Sequence, residues 1–302
     1  APALPATNLV RECYDEMFHS CNSLTQAPAL PATTLAPNCY HAMFYQCENL
    51  TTAPELSAMN LADSCYREMF AFSGLTQAPE LPATNLFKNC YSNMFASCMG
   101  LTEAPKQLPA TTLAEECYSE MFAGTNLTKA PELPATTLVR KCYRNMFDGC
   151  HKLNYLKVNF TLWEEDINAT FGWVRGVSSV GTFVCPMDLN TSARNDSHVP
   201  QGWTVEHPPY LCFTAEEAGS VKLNVTGSIA ANIQTSTDGF NWENYTFGTN
   251  IPLAVNEKVY FKGNYQGTGM SDYASFEMTG KINASGNVMT LTDGDNPTGS
   301  LE

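Results

Sequence analysis

The stretch CYDEMFHSC, residues 13–21, carries residue types that do chemistry. Two cysteines stand eight positions apart, with Tyr14, Met17, Phe18 and His19 between them. Paired thiols offer a disulfide, a pair of soft metal ligands or a redox couple. The metal reading is disfavoured, because C-x7-C is not a zinc spacing. The five histidines (His19, His41, His151, His198, His207) suggest no clustered ligand set. No metal and no other cofactor is expected. A disulfide within the stretch is disfavoured if it is helical. Eight helical residues span roughly 12 Å, whereas bridged Cα atoms lie ~4.4–6.8 Å apart. A turn after Phe18 would reopen that possibility.

The stretch recurs. Cys13, Met17 and Phe18 return as Cys39, Met43 and Phe44, as Cys65, Met69 and Phe70, and as Cys90, Met94 and Phe95. They return again as Cys117, Met121 and Phe122, and as Cys142, Met146 and Phe147. The period is 25 to 27 residues, and a fixed period of this size signals a solenoid whose units bury apolar faces against their neighbours. Six copies cover residues 1–156. These eighteen residues are expected to form the core. The second cysteine occurs in only four copies, as Cys21, Cys47, Cys98 and Cys150, which a disulfide framework within each unit would not do. Small buried hydrophobes are the favoured reading. Bridges between copies stay open, since equivalent atoms on stacked strands lie ~4.7–4.9 Å apart.

Within one unit, Leu9, Cys13, Tyr14, Met17 and Phe18 are apolar, and Arg11, Glu12, Asp15 and Glu16 are polar. That spacing predicts a short amphipathic helix. Pro37 fits its first turn in the second copy. Leu24–Ala27 reads as a very short strand that Pro28 stops. The variable positions beside this strand are Gln26, Thr52, Gln77, Glu103 and Lys129, then Glu55, Glu80, Lys106 and Glu132. If the strand lines a concave face, they point outward and are the candidate partner-binding residues. The face holds no Trp or Arg, the residues that dominate hot spots.

The unit resembles the BspA-like, or Treponema-type, leucine-rich repeats of bacterial surface proteins. The resemblance is carried by Cys-x-x-Leu-Thr-x-Ala-Pro, as at Cys21 to Pro28, and by the Met-Phe pair before it. The family more often has Ile where Cys13 stands and Ala-Phe where Met17-Phe18 stands. The form rich in L-P-A-T-T-L and C-Y-x-x-M-F looks like that of Bacteroides-type gut bacteria. The resemblance implies an α/β leucine-rich-repeat solenoid, right-handed, with short parallel strands on the concave side. It also implies a secreted or surface-anchored setting, and the free thiols would suit an organism living without oxygen. In that setting the nine N-x-S/T sequons, among them Asn49, Asn126 and Asn159, are read as unused.

After Leu153 the pattern lapses. Residues 157–208, with Trp163, Trp173 and Trp203, are expected to cap the open end of the solenoid. From Pro208-Pro209 the texture changes again. "SVKLNVTG" alternates apolar and polar residues, as a half-buried strand does. Residues 209–300 are expected to form a small antiparallel β-sandwich-like domain. Asp238-Gly239 reads as its hairpin turn, and "DGDNPTG" at 293–299 as a tail without the closing Glu of a calcium loop. The chain opens mid-pattern at Ala1, so it is expected to be processed or cut from a longer protein.

A net charge of −14 argues against nucleic acid and anionic membranes. No stretch reaches the ~18 apolar residues of a membrane span. Nothing matches a nucleophile elbow, a phosphate loop or a zinc-protease helix, so the chain is not expected to be an enzyme. The expected role is a secreted or cell-surface adhesion protein of a bacterium, monomeric, recognising a host or bacterial surface protein or glycan. The alternative is a spacer without a ligand, and a glycan-active enzyme is the more remote reading.

Overall fold

A computed structural model describes every residue except 107, 187–188, 208–209, 227–231, 238–241, 266–272, 287, 289 and 294–302. The chain divides into two units. The first is Ala1–Cys185 with Leu189–Glu206, and the second is Pro186–Asp188 with His207–Glu302. The Pro208-Pro209 boundary, the Asp238-Gly239 turn and residues 294–299 of the acidic segment lie outside the described residues.

The α/β leucine-rich-repeat solenoid is not what the chain forms. The structure is nearly all β. Among the described residues the only helical segments are a single 3-10 turn, Glu165–Ile167, and α1, Thr290–Asp293. The segments expected to be helical, such as Leu9–Phe18, are runs of tight turns. Every fourth residue has a left-handed backbone: Glu12 (φ 62°), Glu16 (φ 52°) and Ser20 (φ 58°) in the first copy, Asn38, Ala42 and Gln46 in the second. A right-handed helix cannot continue through such a residue.

The backbone hydrogen bonds show what replaces it. N–H groups alternate along each run: in the first copy one set closes turns onto the carbonyl three residues back, as Asp15 to Glu12 (3.4 Å) and His19 to Glu16 (2.9 Å). The residues between them reach the next copy: Glu12 to Pro37 (3.1 Å), Tyr14 to Cys39 (3.0 Å), Glu16 to His41 (2.9 Å) and Phe18 to Met43 (2.9 Å). Each copy is therefore a flat layer bonded to the layer after it, and every second N–H is satisfied between layers. Asn and Gly, the residues that enter the left-handed region most cheaply, fill many of these slots: Asn89, Asn93, Asn145, Gly124 and Gly149.

Stacking puts like side chains on one another. Tyr14, Tyr40, Tyr66, Tyr91, Tyr118 and Tyr143 form one column, with centroids 5.8–6.0 Å apart and nearly parallel planes. Phe18 to Phe147 form a second, with neighbours 5.5–5.9 Å apart. Offset stacking of this kind is a favoured aromatic geometry. From the second copy onward the repeated Cys, Met and Phe residues are fully buried, and Phe18 is nearly so. Cys13 and Met17 are exposed, Met17 by 45%, because in this chain their layer has a neighbour on one side only.

The expected strands are also reduced. At the variable positions the layers are joined by single parallel bridges, Gln77 to Glu103 and Lys129 to Tyr155. True strands begin only with β1, Tyr155–Lys157, which pairs in parallel with β2, Thr182–Val184, and through it with β3, Thr204–Glu206. The layer at residues 168–176 keeps the turn pattern, with left-handed Asn168, Gly172 and Gly176. There the tyrosine column ends on Trp173, 6.4 Å from Tyr143. Trp163 and Phe183 each pack edge-on against Trp173.

The second unit is two antiparallel sheets. One runs β10 (Tyr273–Thr279), β5 (Gly219–Thr226), β8 (Ile251–Leu253); the other runs β11 (Ile282–Ser285), β4 (Leu211–Ala215), β9 (Lys258–Gly263), β6 (Ile233–Ser236), β7 (Glu243–Asn244). Val221 and Leu223 of the first sheet and Phe213, Val259 and Phe261 of the second share a core. The alternation seen in "SVKLNVTG" falls on β5, whose Val221 and Leu223 are buried.

Candidate functional site

The nine variable positions fall on one face of the first unit. Gln26, Thr52, Gln77, Glu103 and Lys129 form a row, all exposed. The row continues into Tyr155, Thr182 and Thr204 through the Lys129 bridge and the register of β1–β3. Glu55, Glu80 and Lys106 beside it are exposed, and Glu132 is half-buried. Backbone bonds fix the spacing: the N–H of Thr102 meets the carbonyl of Thr76 (3.1 Å), and that of Ala78 meets Glu103 (3.0 Å). Between successive layers lie shallow grooves, one of about 610 Å³ lined by Thr25, Gln26, Thr52 and Glu55. Smaller ones follow beside Gln77 and Glu80 and beside Glu103 and Lys129.

The face changes character along its length. Glu55 and Glu80 make no ion pair among the described residues, whereas Lys157 lies 3.9 Å from Glu132. The Lys129 ammonium sits 4.8 Å from the centre of the Tyr155 ring, a cation–π distance. Burial, then Glu132 and Glu206, push the Tyr155 hydroxyl above its usual pKa. Tyr155 is a site residue that repeat matching misses, because the Ala-Pro landmark is replaced there.

A second site has no counterpart in the sequence reading. An open pocket of about 540 Å³ lies where the layer 168–176 meets the turn at 194–201. The turn is built locally: Asn195 Oδ1 accepts the N–H of Ser197 (2.9 Å), the short-range bond that Asn favours. Asn195 Oδ1 also faces His198 Nδ1 (2.9 Å), and Glu165 faces His198 Nε2 (2.9 Å). Both ring nitrogens thus lie within hydrogen-bond distance of side-chain oxygens. His198 is only 8% exposed and packs edge-on to Trp163 at 4.8 Å. Trp173 Nε1 donates to its carbonyl (2.9 Å), and Thr170 Oγ1 donates to that of Ser197 (2.8 Å).

One grouping qualifies the expectation of no ligand cluster around histidine. Asp15, Glu16 and His41 bring their ligand atoms within 4.8 Å of one another. His41 Nδ1 lies 2.7 Å from Asp15 Oδ1, so the geometry is that of a side-chain hydrogen bond between adjacent layers. In the second unit two large aromatic side chains are engaged within the fold. Trp242 packs edge-on to Tyr210 (4.8 Å) with the Lys262 ammonium 4.3 Å from its ring centre. The Tyr245 hydroxyl accepts the Leu223 N–H (2.9 Å) and donates to Thr249.

Comparison of the chain with protein-family models, with curated proteins and with solved structures finds no match.

Proposed function

We propose that the first unit is a binding scaffold that presents the row from Gln26 to Thr204 to an extended partner, a surface protein or a glycan chain. The observation that supports it most is the register: polar side chains of varied charge stand on backbone positions held by interlayer bonds. Such a surface loses little conformational freedom on binding, which favours affinity built from many small contacts. The row offers few aromatic anchors, so each site binds weakly and multiple copies supply avidity. The role is recognition without catalysis. The setting, the outer surface of a bacterium, rests on the resemblance of the repeat unit.

The test is binding of the full chain to arrayed matrix proteins and glycans. Saturable binding that disappears in a Glu80→Ala, Glu103→Ala, Lys106→Ala, Lys129→Ala variant, with the unfolding midpoint unchanged, is the expected result. Binding that survives all four changes would move recognition off this face, and silence toward every probe would favour a spacer.

A further inference from the structure

We infer that the pocket between the layer 168–176 and the turn 194–201 binds a single neutral sugar ring, as a site separate from the exposed row. The argument begins with what the layer lacks. In the layers before it, the N–H one residue after the cysteine position bonds to the next layer, as Tyr118 does to Cys142 (3.1 Å) and Tyr143 to Ala169 (2.9 Å). Thr170 holds that position here, and its N–H meets no acceptor among the described residues. The turn 194–198 supplies only part of a next layer: Asp196 O accepts from Val174 (3.1 Å), and Ser197 Oγ accepts from Gly172 (3.0 Å). The space left over is the pocket, and an otherwise bonded donor borders it.

The remaining walls suit hydroxyl groups. The Phe171 ring is 49% exposed, an apolar platform on which a ring of C–H groups can lie. Around it stand Asn168, Asp196 and Gln201, whose side chains have no hydrogen bond among the described residues, and Arg194, which spends one donor on Trp203 O (2.9 Å). Amides offer donors and acceptors, Asp196 only acceptors, Arg194 only donors. A hydroxyl both donates and accepts, so a polyol ring can satisfy all of them. A simple cation would leave Arg194 and the Thr170 N–H unmatched, and a simple anion would leave Asp196 unmatched. The volume lies in the ~300–1,000 Å³ range of small-molecule sites, which pair an apolar wall with a few placed polar groups. The buried His198, held by Glu165 and Asn195, fixes the turn that carries Asp196 and Gln201.

The test is titration of the isotope-labelled full chain with glucose, galactose, mannose and N-acetylglucosamine, followed by amide NMR. At least one sugar should give saturable shifts centred on residues 168–171 and 194–201. Phe171→Ala should weaken that binding by roughly tenfold, and Asp196→Asn should weaken it less, both with an unchanged unfolding midpoint. The fourfold variant of the exposed row should bind the sugar as the parent does, which separates this site from the scaffold reading. No saturable shift with any of the four sugars up to their solubility, or equal binding by Phe171→Ala, would overturn the assignment. So would preferential binding of free glycine or inorganic phosphate at these residues.

Discussion

Ser73 and Thr125 explain what the second set of cysteines does. They stand in one column with Cys47, Cys98 and Cys150, three residues after each column phenylalanine, and both are buried. Cys98 donates to the carbonyl of Phe70 (2.9 Å) and Cys150 to that of Phe122 (3.0 Å), while Thr125 donates to Phe122 (2.8 Å). The position calls for a small side chain with a hydrogen to give, and thiol and hydroxyl both serve. Burial pushes the Cys98 and Cys150 thiols up to about 11, which makes them poor nucleophiles. In the native protein an alkylating reagent at neutral pH should modify Cys13 and Cys21, the exposed pair, and leave the other ten until the chain is unfolded. Mass spectrometry of the labelled peptides checks this, and early labelling of Cys98 would refute it. Tyr40 tests the same column logic from the other side. Its buried hydroxyl has no hydrogen-bond partner among the described residues, so Tyr40→Phe should leave stability unchanged or raise it by about 1 kcal/mol, as read from urea unfolding.

At the scale of the element, the layer is a run of turns where a helix was expected. A spacing of four and five apolar positions fits a helix of 3.6 residues per turn, and it fits equally a turn unit of four residues. Leu9, Cys13, Tyr14, Met17 and Phe18 therefore do not distinguish the two. The telling signal lies in the polar positions: Asn89, Asn93, Gly124, Asn145 and Gly149 occupy slots where a helix gains nothing from Asn or Gly. What was legible is whatever repeats, namely the copies, their register and the exposed positions beside the bridges. The pocket was not legible, because Glu165 and His198 belong to no repeat and meet only through the fold. The left-handed slots make a direct test. Gln46, exposed with φ 57°, should tolerate Asn but not the β-branched Val. Gln46→Val should cost about 1–2 kcal/mol relative to Gln46→Asn. Equal stability of the two variants in urea would show that the slot exerts no such selection.

At the scale of the whole molecule, the buried thiols link stability to pH. Burial pushes Cys90 and Cys142 up to about 12, and Cys98 and Cys150 up to about 11, from the usual 9.0. Above the usual value the unfolded chain has released protons that the folded chain still holds. It then binds fewer protons than the native state, so stability falls as pH rises. The loss begins near pH 9, approaches about 1.4 kcal/mol per pH unit for each thiol, and ends as the folded thiols ionise. Urea midpoints should be flat from about pH 7 to 8 and drop steeply by about pH 10. Flat midpoints across that range would mean that the thiols are less enclosed than the layers imply.

The interlayer bonding has a consequence for how such a chain changes its length. Each layer offers the same set of donors to the next and the same set of carbonyls to the one before. Ser64 and Asn89 hold equivalent left-handed slots, each just before a column cysteine. Excising residues 65–89 would join Ser64 to Cys90 and bring together two edges that already fit. Copy number is therefore a dial that duplication or loss of one unit can turn without repacking the remainder, and it sets the reach of the exposed row in steps of one side chain.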